Sequence, residues 1–270
     1  MVVSCNLPEG VIFGVDSAET VPDKLGGSKT YENATKLFRL GELPIGIAVY
    51  GISTLGNRSI GSYIKQFKIE KRDQIENMAS MESLVEAIRI FFSEVYSAKV
   101  VPSLENEFNA KLDQIDKNNI PVVGLIIGGF PKESYLSEVW EVQIPFMSKP
   151  DRKRGPEEFG TNAFALSKPI MRFIQGYDYR MIDDLLEYFE IIRQKPLSGE
   201  EQKEITKIVK NYSMVVPFNG MSIQDGVDYT RFLINLAINH YRYAAGIPCV
   251  GGRAKIGVVT YSDQTFKILE

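Results

Sequence analysis

The chain has 270 residues, and its 31 Lys and Arg against 34 Asp and Glu give a formal net charge of −3. This balance argues against a dedicated nucleic-acid binder, which usually carries a clustered basic excess. Its 44% hydrophobic and 24% charged residues are typical of a globular protein and exclude disorder over most of the chain. We expect one packed domain over 1–270, because a chain of this size buries enough surface to need no disulfide or metal.

The first fifty residues are predicted to form strands. Residues 2–7 and 11–15 are apolar runs on either side of the turn Pro8-Glu9-Gly10, which predicts a β-hairpin. Residues 36–40 and 45–49 predict a second pair of strands. The chain is therefore expected to open as an antiparallel meander.

Helices are predicted next. Apolar residues recur at helical spacing over 55–68 and again over 81–98, and Pro102 is expected to break the second helix. The apolar runs at 122–127 and 139–144 then predict another pair of strands.

The last part of the chain is predicted to be mainly helical. Residues 148–160 are charged and hold two prolines, which predicts a surface loop. Residues 178–212 are interpreted as a helical insertion. The predicted helices lie near 163–174, 178–194, 199–212 and 223–243, and the final strands at 255–261 and 266–269. This order favours an α+β protein, a four-layer αββα sandwich of two antiparallel sheets with helices outside them.

Few residues are available for metal or cofactor chemistry. Cys5 and Cys249 stand at opposite ends of the sequence, and His240 is the one histidine, so a His-rich zinc site cannot be built. The glycine pairs match no phosphate-binding loop, and no run reaches the about 20 apolar residues that a membrane helix needs. The sequence therefore predicts no metal, no cofactor, no nucleic-acid partner, no membrane segment and a cytoplasmic location.

Several short motifs occur in one order along the chain. They are Gly14-Val15-Asp16-Ser17, Thr20, Lys36-Leu37-Phe38, the apolar strand 123–129 with the following strand 138–142, and Val250-Gly251-Gly252. In this order and spacing they resemble the proteasome-like branch of the N-terminal nucleophile hydrolases, over most of the chain. Tyr50-Gly51 and the helix start at 56–62 are most similar to the small prokaryotic proteasome-like proteins.

The resemblance implies a catalytic arrangement. In that family the hydroxyl or thiol of the first residue attacks an amide, and its own α-amine serves as the base. Lys36 would keep that amine uncharged by like-charge repulsion, and Asp16 would pair with Lys36. Thr20, Tyr50 and Gly51 would contact substrate, with Tyr50 narrowing the cleft. From the residues alone, a plain strand-end salt bridge between Asp16 and Lys36 is the favoured interpretation, and only the resemblance makes a catalytic role an equal alternative.

The nucleophile itself is missing from the sequence. Counting back from Asp16 by the family's spacing ends one position before Met1, and a turn shortened by one residue at Pro8-Glu9-Gly10 places Met1 at the nucleophile position. Met1 has a thioether, and neither Val2 nor Val3 has a side-chain heteroatom.

Two functions therefore stay open. The first is an amide-bond hydrolase, a threonine-type peptidase by ancestry, acting on a peptide or small amide; Asp16 and Lys36 favour it. The second is a non-catalytic, ring-forming structural subunit resembling the outer-ring subunits of proteasomes. Met1 favours it, as do Ile247 and Val250, which stand where the family has Asp and Ser. In both cases we expect a homo-oligomeric ring, assembled through the apolar faces of the helices at 55–68 and 81–98.

Overall fold

Two five-stranded antiparallel sheets and two short ribbons make up the β structure. The computed structural model describes residues 1–22, 28–77, 80–132, 134–178, 180–246 and 249–269, except for the side chains of Val21, Pro22, Ser28 and Gln74. The strands are β1 (Val2–Leu7), β2 (Gly10–Val15), β3 (Glu19–Pro22), β4 (Ser28–Tyr31), β5 (Leu37–Arg39), β6 (Ile45–Gly51), β7 (Thr54–Leu55), β8 (Arg58–Ser59), β9 (Val123–Gly129), β10 (Glu138–Ile144), β11 (Asp151–Arg154), β12 (Gly160–Phe164), β13 (Lys255–Thr260) and β14 (Phe266–Leu269).

The first sheet has the order β12-β1-β2-β13-β14, and the second has the order β11-β10-β9-β6-β5. The ribbons pair β3 with β4 and β7 with β8. The helices are α1 (Ile60–Glu70), α2 (Arg72–Glu76), α3 (Met81–Lys99), α4 (Val101–Phe108), α5 (Lys168–Gln175), α6 (Arg180–Arg193), α7 (Gly199–Lys210) and α8 (Ile223–Tyr243). The protein is thus of the mixed α+β class, with antiparallel sheets.

The predicted hairpin at the start of the chain is confirmed, and its register positions the chain terminus. In the β1–β2 pair, Leu7 stands opposite Gly10 and Val2 opposite Val15, so Met1 and Asp16 emerge side by side at one end of the first sheet. The expected meander is wrong, because β5 and β6 pair with each other in the second sheet. The ribbon β3–β4 lies in the sequence between the two strand pairs and pairs with neither sheet.

Apolar side chains fill the space between the two sheets and the space on their outer faces. Val2 and Phe13 of the first sheet share one core cluster with Ile126 and Val139 of the second sheet. On the outer face of the second sheet, α1 and α3 bury their apolar side chains in a larger cluster. On the outer face of the first sheet, α8 packs on β1 and β2. Gly14 allows this close approach, because a Cβ there would lie 2.6 Å from the Thr230 methyl group.

The helical predictions hold with shifted ends. The first helix begins at Ile60 rather than near 55, because the preceding residues form the β7–β8 ribbon and Ser59 caps the helix by accepting from the Ser62 amide. Pro102 interrupts the second helix as predicted, since it lies in the first turn of α4. The apolar faces of α1 and α3, which the sequence suggested as oligomer surfaces, are largely covered by the chain's own second sheet.

Besides the four ribbon strands, two strands of the five-stranded sheets were not predicted. Residues 148–160 are not entirely loop, because Asp151–Arg154 forms the edge strand β11. An edge strand tolerates charged side chains. A strand made only of charged residues has no apolar pattern, so β11 was not recognised in the sequence. Residues 160–164 form β12 beside β1, and the helix expected from 163 begins at Lys168.

The segment interpreted as a helical insertion forms the hairpin of α6 and α7. At its base, the Met214 amide donates to the Ile174 carbonyl at 2.8 Å. Gly176 has a left-handed φ of +77°, and a Cβ there would lie 2.4 Å from the Tyr212 carbonyl oxygen. The residues before α6 and after α7 are therefore close together, and the hairpin begins and ends at nearly the same place in the fold.

Candidate active site

Asp16 is the centre of a buried charge cluster at one end of the first sheet. Its carboxylate follows β2 and is fully buried. The α-ammonium of Met1 donates to Asp16 Oδ1 at 2.6 Å, and Lys36, directly before β5, donates Nζ–H to the same oxygen at 2.7 Å. The predicted contact between Asp16 and Lys36 is confirmed, and the turn shortened to Pro8 and Glu9 indeed brings Met1 to the same carboxylate.

The second oxygen of Asp16 is held by backbone donors. The amides of Ala18 and Gly251 donate to Oδ2 at 3.2 Å and 3.3 Å. The Ser17 amide in turn donates to the Gly251 carbonyl at 3.2 Å, which ties the loop before β13 to the end of β2. The two bonds to Oδ1 and the two bonds to Oδ2 together fix the plane of the Asp16 carboxylate.

Burial and charge act on this cluster in opposite directions. Burial lowers the pKa of the Met1 ammonium below its ordinary value of 8.0, and the nearby Lys36 charge lowers it further, while Asp16 opposes both. Burial alone would raise the pKa of Asp16, but the two cations outweigh it, and the pKa of the carboxyl is held below its usual range. The site thus keeps Asp16 ionised and lowers the pKa of the amine on residue 1.

Met1 and Lys36 line a cleft of about 390 Å³. It shares Glu19, Lys36 and the segment 51–54 with a neighbouring cavity of about 300 Å³. Ala165 and Leu166 close the opposite wall of the larger cavity. The two cavities offer room for an extended ligand that passes across residue 1.

Thr20 and Gly51, which the resemblance assigns to substrate binding, both line the larger cavity. The Thr20 hydroxyl lies 3.1 Å from the Thr30 hydroxyl across the β3–β4 ribbon. Gly51 ends β6 with a left-handed φ of +87°, and a Cβ there would lie 1.9 Å from the Val122 carbonyl oxygen. Only glycine fits this wall of the cleft.

Tyr50 lines the smaller cavity, but its ring does not narrow the larger one. Its ring is buried between the two sheets, where it stacks on Phe164 at 6.4 Å between ring centroids and donates its hydroxyl to Glu141. Lys153 Nζ lies 2.8 Å from the other Glu141 oxygen. The ring occupies the space that a Cβ on Gly124 would need. The glycine on the adjacent strand therefore leaves room for the Tyr50 side chain to point inward.

Residue 1 carries no nucleophilic group in its side chain. Met1 is 5% exposed, and it belongs to an apolar cluster with Val3, Ile170 and Val250. Val250 therefore contributes packing and not a hydroxyl, as its residue type predicts. Ile247, the other apolar replacement noted in the sequence, lies outside the described residues.

Ser4, Cys5 and His240 are not part of the cleft lining, whereas Cys249 is. Ser4 and Cys5 are fully buried inside β1, and burial raises the pKa of the Cys5 thiol to about 11. His240 lies on an exposed turn of α8, with its ring 5.2 Å from the Tyr241 ring. Cys249 lines the cleft.

No family model matches the sequence, and a search of curated proteins finds no significant relative. Among the described residues, no group of three or more His, Cys, Asp or Glu side chains could hold a metal ion. Within the same part of the chain, no helix has the length and apolar character needed to span a bilayer.

Sequence reasoning missed the carboxylate of Glu19. It lies at the rim shared by the two cavities and accepts from the Ser53 hydroxyl. Glu19 is the first residue of β3, and the ribbon that turns it toward the cleft has no strong periodic signal. Cys249 was missed for the same reason, because the loop before β13 carries no pattern that predicts its direction.

Proposed function

We propose that this protein has the four-layer αββα architecture of the proteasome-like N-terminal nucleophile hydrolases, and that it is a homologue of that family. The face-to-face sheets with helices packed on their outer faces support the architecture. The observation that carries the functional part is the contact of one buried carboxylate, Asp16, with both the residue-1 amine and Lys36, at the floor of a cleft.

The chemistry that this cluster suits is amide-bond hydrolysis by residue 1. A hydroxyl or thiol on that residue would give its proton to its own neutral amine and attack the carbonyl carbon of a peptide or small amide. The protonated α-amine would then pass that proton to the leaving nitrogen as the amide C–N bond breaks, and the acyl group would stay on residue 1. The Lys36 ammonium would stabilise the negative charge that develops on the oxygen. Asp16 would hold the amine and Lys36 in place, and water would later release the acyl group.

Met1 has a thioether at the position of that nucleophile. Because its sulfur has no proton to give and forms no acyl intermediate, it cannot replace the hydroxyl or thiol. We therefore infer a hydrolase of the threonine-peptidase type by ancestry, whose activity is absent while Met1 is residue 1. The cleft, Lys36 and Asp16 remain, and they retain the capacity to bind an extended peptide.

The test restores the nucleophile. Met1→Thr, with the threonine exposed as residue 1 by removal of an initiator methionine, should react with an electrophile that requires a hydroxyl and a free amine on one residue. Peptide mass spectrometry should place the adduct on residue 1, and Lys36→Ala in the same background should abolish it. Met1→Val is the matched control, because it exposes an amine without a hydroxyl. Absence of an adduct in folded Met1→Thr, or an adduct that survives Lys36→Ala, would contradict the proposal.

A non-catalytic, ring-forming structural subunit is the second candidate. The burial of the Met1 side chain in an apolar cluster favours it, because residue 1 then serves packing. The intact mass and N-terminal sequence of the protein from its native source separate the two candidates. A free Thr, Ser or Cys at residue 1 supports the enzyme, and retained Met1 together with a ring-sized particle in sedimentation supports the subunit.

A further inference from the structure

The smaller cavity beside the cleft combines an apolar wall with one carboxylate. Phe38, Val49 and Ile60 line it, and all three belong to or pack against the apolar cluster on the outer face of the second sheet. Glu19 is the one acidic residue in the described lining, and it lies half-buried where the smaller cavity meets the larger one. A lining of this kind suits a side chain with an alkyl stem and a charged tip.

The charges of the two cavities are not balanced. Among the described lining residues, Met1, Lys36 and Glu19 carry a charged group. The Met1 amine and Lys36 both contact Asp16 Oδ1, at 2.6 Å and 2.7 Å, so Asp16 compensates this end of the cleft. Glu19 forms no ion pair with any described residue. Its carboxylate therefore remains without an opposite charge.

A contact within the chain holds the Glu19 carboxylate at this position. Ser53, which also lines both cavities, donates its hydroxyl to one oxygen of Glu19. This hydroxyl brings no charge, and it occupies one of the about four positions at which an ionised carboxylate can accept a hydrogen bond. A cation can therefore bind to Glu19 while the bond to Ser53 stays in place.

The N-terminus of α1 reaches the same cavity, and a helix N-terminus with free amides attracts anions. Here two of the first three amides already have partners in the chain. The Ile60 amide donates to the Ser53 carbonyl at 2.8 Å, and the Ser62 amide donates to the Ser59 hydroxyl at 3.2 Å. The charge that a ligand meets in this cavity is thus that of Glu19, which favours a cation.

We propose that Glu19 is the specificity-determining residue of the cleft, and that it selects a peptide with a lysine or arginine side chain. The peptide backbone lies in the larger cavity. The alkyl stem of the selected side chain packs along Phe38 and Val49, and its cationic tip pairs with Glu19. The inference rests on the proposed function for the extended peptide in the cleft, but it needs no nucleophile on residue 1.

Peptide binding to the unaltered chain tests the proposal. The probes are blocked alanine peptides that hold lysine, norleucine or glutamate at one central position. Norleucine has the alkyl stem of lysine without the ammonium group. An NMR titration should give the lysine peptide a dissociation constant at least about tenfold below that of the norleucine peptide, equivalent to about 1.4 kcal/mol. The glutamate peptide should bind most weakly of the three.

Removal of the Glu19 charge should remove this preference. Glu19→Gln keeps the shape of the side chain and an oxygen that accepts from Ser53, so circular dichroism should give the wild-type spectrum. The lysine and norleucine peptides should then bind with the same affinity. Glu9→Gln is the matched control, because Glu9 is exposed at the other end of the β1–β2 hairpin and its replacement changes the net charge equally. This control should keep the lysine preference.

Several results would each overturn the proposal: equal binding of the lysine and norleucine peptides, tighter binding of the glutamate peptide, no binding of any probe, a lysine preference that survives Glu19→Gln, or its loss in Glu9→Gln. The reaction of Met1→Thr with an electrophile that has no charged group tests the hydrolase separately. A folded Met1→Thr that forms no adduct contradicts the hydrolase, and the lysine preference of the unaltered chain still stands. An adduct without a lysine preference contradicts the choice of ligand alone.

Discussion

Replacing Asp16 by asparagine removes the charge of the central carboxylate while keeping its shape. An asparagine has one acceptor oxygen and one NH2 group, whereas Asp16 accepts from the two cations through Oδ1 and from two backbone amides through Oδ2. In either orientation of the amide, its NH2 group faces a pair of donors. No rotamer of Asp16→Asn can satisfy the site.

The expected cost follows from these contacts. Each charge-assisted bond, at 2.6 Å to Met1 and 2.7 Å to Lys36, contributes about 1.5–3 kcal/mol. Two effects reduce this loss of folding free energy. The Lys36 side chain is 16% exposed to water, and the Met1 amine can lose its proton. We expect Asp16→Asn to lower the free energy of unfolding by about 3 kcal/mol, and Lys36→Met, which leaves the amine on Asp16, by about half of that.

Urea unfolding followed by Trp140 fluorescence and circular dichroism measures both changes. The pKa of Asp16 is lowered in the folded state, so its stabilisation is fully present above its unfolded pKa of about 3.9 and is lost as the pH falls through the lower folded value. The gap between wild type and Asp16→Asn should therefore narrow below about pH 4.

An exposed ion pair supplies the matched control. Asp263 lies 2.9 Å from Lys267 with 44% of its side chain exposed, so Asp263→Asn should cost less than about 1 kcal/mol. If Asp16→Asn costs no more than this control, or if its gap to wild type does not change in acid, the buried charge cluster is not as described.

Two further changes probe the walls of the cleft. Tyr50→Phe removes the hydroxyl that donates to Glu141 and should lower the free energy of unfolding by about 1.5–3 kcal/mol in urea melts; an unchanged melt would show that the buried network is not formed. Gly51→Ala must accept a left-handed φ of +87° and a contact at 1.9 Å with the Val122 carbonyl oxygen, so it should cost more than about 2 kcal/mol. Gly41→Ala has φ of +63° and open space around its Cβ, so it should cost only about 1 kcal/mol, and equal costs for the two glycines would refute the steric argument.

The sequence predicted those parts of the fold in which local periodicity and packing agree. The β1–β2 hairpin and α8 follow their apolar patterns almost to the residue. β11 was missed because an edge strand needs no apolar alternation, and its residues Asp151–Arg154 are all charged. The start of α5 was missed because β12 pairs with β1 through backbone bonds that a side-chain pattern does not reveal.

The site was predictable where it depends on strand ends and not where it depends on loops. Asp16 and Lys36 stand at the ends of predicted strands, and their contact was expected from these positions together with the spacing of the resemblance. The contact of Gly251 with Asp16 joins residues 235 positions apart, and no local signal encodes it. Tyr50 was misjudged because its direction is set by the glycine on the neighbouring strand, a packing effect that spacing alone cannot give.

The central claim is that burial and the Lys36 charge lower the pKa of the residue-1 amine, while Asp16, which contacts both cations, opposes them. Its most direct test is an NMR titration of the α-amine in protein with isotope-labelled methionine, after the intact mass has verified Met1 as residue 1. The midpoint should lie below the ordinary pKa of 8.0, move up toward it in Lys36→Met and move further down in Asp16→Asn. A midpoint at or above 8.0, or one that Lys36→Met leaves in place, would contradict the account.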